Sequence, residues 1–374
     1  MTFDPFTRGT HPVGVRSDAW LDTERDRELA VEIWYPAAAS HAGQDLDAAT
    51  QDAFEPGWSV AGVESELLRQ SAVRDAAAIG ETTPLVLLIH GWAGYRREAT
   101  FLGTHLASHG YTVVSPDVPG STFGDVMAFL TAGTEGGSND ALAEHLSGIA
   151  DGRQGDIPFL ISTAAERLDV DTANVGVTGA SFGGYSSIIA PAVDPRVAAV
   201  APMCPAGGRA GSAAAQPVDD FWASKQRWDW QRPVPTLFLV ADRDCMLPLH
   251  TQLDLLRLAP TPDKRMVVLA DADHNHFVDD VEAGQAWLAE FLKGVAAEFP
   301  SMERTALNVV PVEELCPGAH AQLAWRGLIT AHMDAHLRGR AEALSIVHGP
   351  IDAILADHGV TTSTIVGSMR DTAR

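Results

Sequence analysis

Residues 174–185 read Asn174-Val175-Gly176-Val177-Thr178-Gly179-Ala180-Ser181-Phe182-Gly183-Gly184-Tyr185. The apolar start of this stretch is typical of a buried strand, and the small residues after it are typical of a helix packed closely on a sheet. A strand that turns directly into a helix strains the residue at the turn and requires small residues two positions to either side. Gly179 and Gly183 meet that requirement around Ser181. The pattern therefore predicts a nucleophilic serine at a sharp strand-to-helix turn.

The G-x-S-x-G pattern is weak evidence by itself, because a chain with 33 glycines also has ordinary glycine-rich turns. A serine nucleophile needs a base, an acid and donors for an oxyanion, and the rest of the chain has to supply them.

Buried apolar runs alternate with helical patterns from residue 84 to about residue 270. This alternation predicts an α/β fold with a doubly wound, mostly parallel sheet. Two alternating runs, 13–16 and 29–35, precede it and predict an antiparallel pair at a sheet edge. The spacing of Val63, Leu67, Leu68 and Val73 predicts a helix over 62–78.

The fold pattern predicts a catalytic domain over 1–295, with two long irregular connections, 116–150 and 204–232, that cover or line its pocket. A C-terminal helical extension over 296–374 follows. Its apolar positions predict two helices, about 319–338 and 340–358, that pack on the core or on a partner subunit.

Composition limits the class of protein. The net charge of −23, without a long acidic block, argues against a nucleic-acid partner and for a solvated surface. The sequence contains no run of 18 apolar residues, so it predicts no membrane span. The first residues do not resemble a signal peptide. Three scattered cysteines fit a reducing compartment. We therefore expect a soluble cytoplasmic protein, and the sequence leaves both a monomer and a homo-oligomer open.

The oxyanion donors are expected after the early strand 85–89 and after the nucleophile. Acyl transfer needs backbone N–H groups aimed at the oxygen as it gains charge. Trp92, which follows His90 and Gly91, and Phe182 occupy these two places. The alternative is that His90 and Gly91 simply end a strand.

The acid and the base are expected after the last two parallel strands, and each place offers two candidates. Asp242 and Asp244 follow the strand 236–240, and His274 and His276 follow the strand 266–269. We favour Asp244, because it stands directly before the descent into the next helix, with Asp242 capping or pairing with Arg243. We favour His274 as the base and expect a structural role for His276.

Two other patterns in the sequence can be explained by structural roles. The histidines of 274–276 with Asp271, Asp273 and Asp279 could resemble a metal cluster, but a tight loop would have to turn several of them one way. We therefore expect no metal and no cofactor. Three tryptophans in the connection 204–232 either line an acyl pocket or anchor the loop: Trp222, Trp228 and Trp230.

These motifs resemble the branch of the α/β-hydrolase superfamily that contains dienelactone-hydrolase-like and platelet-activating-factor-acetylhydrolase-like proteins. The resemblance rests on 90–92, 179–184, 241–248 and the ending His274-x-x-Phe277-x-Asp279, and it covers roughly 10–295. It implies Ser181 as nucleophile, His274 as base, Asp244 as acid, and Trp92 and Phe182 as oxyanion donors. Serine stands where true dienelactone hydrolases carry cysteine.

The motifs together predict a serine esterase that cleaves small-molecule carboxylic esters through an acyl-enzyme. An amidase, peptidase or acyltransferase could use the same residues. A binding protein on a hydrolase scaffold is the alternative outside catalysis, and an intact set of catalytic residues argues against it.

Overall fold

The computed structural model describes residues 3–57, 67–132, 139–211, 216–299 and 302–367. Its central element is a ten-stranded sheet, and a separate two-stranded pair lies beside it. The twelve strands of the described residues are β1 Val13–Asp22, β2 Arg27–Pro36, β3 Asp52–Phe54, β4 Leu68–Gln70, β5 Val73–Arg74, β6 Thr83–Ile89, β7 Thr112–Pro116, β8 Val170–Ala180, β9 Val197–Met203, β10 Thr236–Ala241, β11 Lys264–Leu269 and β12 Thr362–Val366.

The order of the large sheet is β12-β11-β10-β9-β8-β6-β7-β2-β1-β5. Neighbours from β7 through β6 and β8 to β11 run parallel. The hairpin of β1 and β2 adds antiparallel to β7, and β12 adds antiparallel to β11. The carboxyl ends of the parallel strands therefore meet at one edge, where loops can bring chemical groups together.

Helices cover both faces of this sheet, as a doubly wound fold requires. One apolar layer contains side chains of α1 and α9, and the other contains side chains of α3 and α4. The eleven helices of the described residues are α1 Thr100–Ser108, α2 Phe123–Ala132, α3 Asn139–Arg167, α4 Phe182–Val193, α5 Gln216–Lys225, α6 Leu249–Leu258, α7 Val281–Glu298, α8 Glu303–Leu307, α9 Gly318–Leu337, α10 Ala341–Val347 and α11 Ile351–Asp357.

The structure confirms the predicted α/β class, the mostly parallel sheet and the antiparallel N-terminal pair. The predicted helix over 62–78 is wrong where the structure describes it, because Leu68 lies in β4 and Val73 in β5. Val63 lies outside the described residues. Apolar residues at short intervals fit two brief strands as well as one helix.

The two connections are more regular than predicted. The segment 116–150 contains α2 and the start of α3, and the segment 204–232 contains α5. The predicted helix 340–358 is two helices, α10 and α11, separated at Gly349 and Pro350 because proline cannot continue a helix that precedes it.

The C-terminal residues 318–366 pack directly on the sheet. The strand β8 leads into the sharp turn at Ser181, which we call the elbow. Met333 of α9 lies so close to this elbow strand that a Cβ on Gly176 would stand 2.5 Å from its Sδ. Leu328 and Ile329 of α9 are fully buried in the same layer, and β12 lengthens the sheet beyond β11. Among the helices of the described residues, none is long and apolar enough to cross a membrane.

Candidate active site

Ser181 lies between β8 and α4 in a strained backbone conformation, with φ 56° and ψ −113°. The glycines around it are required by contact with the neighbouring strand. A Cβ on Gly179 would stand 2.1 Å from the carbonyl oxygen of Ile89, and one on Gly183 would stand 1.7 Å from the same atom. No side chain fits at either position, so the backbone of β6 and the elbow can approach only through glycine.

Asp244 and His274 form a hydrogen-bonded pair at the carboxyl ends of β10 and β11. The Nδ1 atom of His274 lies 3.0 Å from Asp244 Oδ2. The carboxylate is held in place, because Oδ1 accepts the backbone N–H groups of Met246 at 2.9 Å and Leu247 at 2.7 Å. An acceptor at Nδ1 fixes a proton there and leaves Nε2 free to accept one.

The Asp244 carboxylate favours the protonated form of His274. Burial by itself lowers the pKa of this imidazole, but the carboxylate at 3.0 Å outweighs it and holds the pKa of His274 well above the ordinary value. Cys204 is also near, with its Sγ within 4.8 Å of a ring nitrogen of His274. Burial raises the pKa of the Cys204 thiol, so it stays neutral and is a poor metal ligand.

Ser181 and His274 line the same pocket. Within the part of the chain that the structure describes, no hydrogen bond joins Ser181 Oγ to the imidazole. Such bonds are often long in a free enzyme and tighten only with substrate.

The loop after β6 brings a free backbone donor beside Ser181. Gly91 lies against the serine, since a Cβ built on it would stand 3.2 Å from Ser181 Cβ. The N–H of Trp92 donates to no group of the described residues. The N–H of Phe182 opens α4, where the first amides of a helix have no partner within the helix. Both amides are therefore available to a ligand oxygen.

Arg153, which the sequence analysis missed, anchors this loop from α3. Its buried guanidinium donates to the carbonyl oxygen of His90 at 3.0 Å and to the hydroxyl of Ser121 at 2.8 Å. Burial lowers the pKa of Arg153 to about 10, so it remains charged at neutral pH. His90 is neutral, because burial lowers its pKa to about 3, and its Nε2 accepts the N–H of Val118 at 2.8 Å.

Glu98 is the second missed residue, and it faces the pocket. Its Oε1 accepts the N–H of Gly91 at 3.0 Å, and a Cβ on Gly94 would stand 2.1 Å from Oε2. Burial raises the pKa of Glu98 to about 8, so the carboxyl is mostly neutral at pH 7. It accepts the Gly91 amide, whereas the Trp92 amide donates to no group of the described residues. No short motif marks either Arg153 or Glu98 in the sequence.

The pocket beside Ser181 has an aromatic wall. Trp287 stacks on Phe291 with ring centroids 4.8 Å apart, and Trp92 lies 6.0 Å from Phe291. Three acidic side chains also line the pocket: Glu98, Asp279 and Asp280. There is no Arg or Lys among the described residues that line it. The aromatic wall favours apolar groups, and a lining with acidic side chains disfavours anions.

The remaining candidates lie apart from this arrangement. Asp242 accepts the backbone N–H of Ala272 at 3.1 Å. The expected pair of Asp242 with Arg243 does not form, because Arg243 pairs with Glu314. His276 points its Nε2 to the carbonyl of Cys316 at 3.0 Å.

The acidic side chains of 271–279 contact different parts of the chain. Asp273 is buried and accepts the backbone N–H groups of Cys245 and Val310, whereas Asp279 accepts those of Thr100 and Phe101. The tryptophans of 204–232 are not among the described residues that line the pocket. Trp222 packs on Phe182 and Tyr185 instead, as an anchor of the loop does.

Comparison with known proteins identifies the family. A family model described as the dienelactone hydrolase family matches residues 72–290, which is more than half of the chain. A search of curated proteins found no match. Among solved structures, a ferulic acid esterase from Streptomyces cinnamoneus is similar, with TM-score 0.58 and 24% identity over 94% of this chain and 96% of that chain. The chain therefore belongs to the dienelactone hydrolase family of α/β hydrolases, and it is a carboxylic-ester hydrolase.

Proposed function

We propose that the protein is a serine esterase in which Ser181, His274 and Asp244 act as a catalytic triad. The observation that carries the proposal is the hydrogen bond of 3.0 Å from Asp244 to His274, which lines the same pocket as Ser181. An acid and a base held in this way serve a nucleophile, because the carboxylate orients the imidazole and stabilises its charged form.

The reaction would proceed in two halves. Ser181 Oγ attacks the acyl carbon while His274 Nε2 takes the hydroxyl proton, and the amides of Trp92 and Phe182 donate to the oxygen that gains charge. His274 then returns the proton to the departing alcohol, which leaves an acyl-serine. Water attacks this ester with His274 as base, so that the acid departs and Ser181 regains its proton.

The pocket supports an uncharged, apolar acyl group as the substrate class. Trp92, Trp287 and Phe291 would contact a flat or extended apolar chain. Asp279 would repel an anion at neutral pH, and Glu98 would add to this repulsion only as it ionises near pH 8. Burial raises the pKa of Asp279 to about 6, so this carboxyl is mostly ionised at pH 8. The similar solved structure is a ferulic acid esterase, and an aromatic acyl group of that kind fits the aromatic wall.

The test compares esters of equal length that differ in charge. We expect p-nitrophenyl butyrate to be hydrolysed with kcat/KM at least about tenfold above p-nitrophenyl hemisuccinate, because one buried carboxylate beside acidic groups costs at least about 1.4 kcal/mol. Methyl ferulate should also be cleaved, and p-nitrobutyranilide should react far more slowly. Equal rates on the two acyl groups would remove the apolar substrate class, and equal rates on ester and anilide would favour the amidase alternative.

We expect Glu98 to set the alkaline limit of activity. As pH rises through about 8, Glu98 ionises beside the amides that would hold the oxyanion, so kcat/KM should fall there. Glu98→Gln keeps an acceptor for the Gly91 amide but cannot ionise, so its alkaline limb should move up by at least about one pH unit. The acid limb, which we assign to His274, should stay in place. A pH profile with the same alkaline limb in both proteins would show that Glu98 does not control it.

A further inference from the structure

A cluster of two histidines and one aspartate lies at the opposite edge of the sheet from Ser181. Asp263 directly precedes β11, His336 lies in the last turn of α9, and His348 directly follows α10. The ligand atoms of these three side chains all lie within 4.8 Å of one another. Because β11 has six residues, the cluster is roughly 20 Å from the loop that carries His274.

The side chains already point at a common space. His348 Nε2 lies 3.1 Å from Asp263 Oδ1, and His336 Nε2 lies 3.8 Å from Asp263 Oδ2. The His336 Nε2 atom is buried and has no hydrogen-bond partner among the residues that the structure describes. A buried imidazole nitrogen without a hydrogen bond is costly, and a cation held between the three side chains would give this nitrogen a partner.

We propose that Asp263, His336 and His348 bind one divalent first-row transition-metal ion, with Zn²⁺ as the reference ion. Two imidazoles and one carboxylate are a common zinc ligand set, with water in the remaining position. Ligands about 2.0–2.2 Å from zinc stand about 3.3 Å apart in a tetrahedron, so His336 and Asp263 need to approach by about half an ångström.

The surroundings fit a bound cation. His336 stands in the last turn of the 20-residue helix α9, where the helix dipole favours positive charge. The Asp263 and His348 side chains are 32% and 38% exposed, which gives the ion a route from solvent, whereas His336 is only 12% exposed. The backbone of Asp263 is fixed, because its carbonyl accepts the N–H of Thr236 at 2.9 Å.

The bound ion would act as a cross-link. It would join the end of α9 and the residue after α10 to the start of β11, which lies about 70 to 85 residues earlier in the sequence. An ion that binds only the folded chain stabilises that chain by mass action, so the effect should be seen in the melting temperature rather than in the chemistry at Ser181.

The test titrates tag-free protein, stripped with EDTA and returned to metal-free buffer, with ZnCl₂ in a calorimeter. We expect one Zn²⁺ per chain and a higher melting temperature with zinc. His336→Ala and Asp263→Asn should each weaken zinc binding at least about tenfold and abolish the shift in melting temperature. The control is His250→Ala, which removes an exposed histidine of α6 and should bind zinc like the wild type.

Substitution of Co²⁺ gives a second readout, because visible absorption bands of a four- or five-coordinate ion should appear in the wild type and vanish in Asp263→Asn. Mg²⁺ should not compete, since it prefers oxygen ligands. Zinc affinity that is unchanged in both His336→Ala and Asp263→Asn would overturn the proposal. A lack of saturable zinc binding to the wild type would also overturn it and would indicate that water fills the cluster. If His336→Ala loses esterase activity and does not fold, Asp263→Asn alone decides.

Discussion

Replacing Ser181 with alanine should reduce kcat/KM for p-nitrophenyl butyrate by about 10⁴-fold or more and leave the fold intact. The reason is that the reaction loses its nucleophile, and the oxyanion donors alone support only a small residual rate. The hydroxyl makes no hydrogen bond to other described residues, and alanine fits the same backbone, so stability should change little.

The matched control is Ser187→Ala, on the same helix. Its hydroxyl donates to the carbonyl of Gly183 at 3.0 Å and to no other described group, so the variant should keep activity within a few-fold. Circular dichroism and a stoichiometric phosphonate label complete the measurement, because wild type and Ser187→Ala should bind one label and Ser181→Ala none. Substantial hydrolysis by Ser181→Ala would assign the nucleophile to another residue.

Replacing Asp244 with asparagine should lower kcat by about 10³- to 10⁴-fold. The asparagine oxygen can still accept the N–H groups of Met246 and Leu247, so the loop keeps its shape. Its amide then donates to His274 Nδ1, which moves the ring proton to Nε2, where the base must be free. Without the carboxylate the pKa of His274 also falls, so the residual activity should extend to lower pH than in the wild type.

Asp242→Asn is the matched control for Asp244→Asn. Asp242 is exposed and, within the described part of the chain, its side chain accepts one backbone N–H, that of Ala272, so this variant should keep activity within about twofold. Kinetics of the two variants on one ester, across pH, decide between the carboxylates. A large loss in Asp242→Asn with little loss in Asp244→Asn would reverse our assignment of the acid.

The elbow could be predicted because its cause is local. Gly179 and Gly183 are needed where β6 touches the turn, and that need appears in five consecutive residues. The mostly parallel sheet could also be predicted, because buried apolar runs of the kind that parallel sheets contain alternate with helical patterns along the chain. By contrast, Arg153 and Glu98 act through contacts with the loop at 90–94, and no local pattern distinguishes a buried arginine from an exposed one.

Some errors came from signals that were present in the sequence. Pro350 marks the break between α10 and α11, and the β-branched run of Thr362–Val366 is typical of a strand, so β12 was open to prediction. The choice between a helix and two short strands near Leu68 was different, because tertiary contacts decide it.

The packing of α9 on the elbow strand has a consequence for synthesis on the ribosome. All the proposed catalytic residues have been made once His274 is added, but Met333 and the strand β12 come about 60 to 90 residues later. At about 5–20 residues per second this is a delay of several seconds or more. During that time the sheet face beneath α9 is bare, and β11 has an open edge that can pair with another nascent chain. The helix α9 and the strand β12 thus protect the sheet from aggregation only late in synthesis.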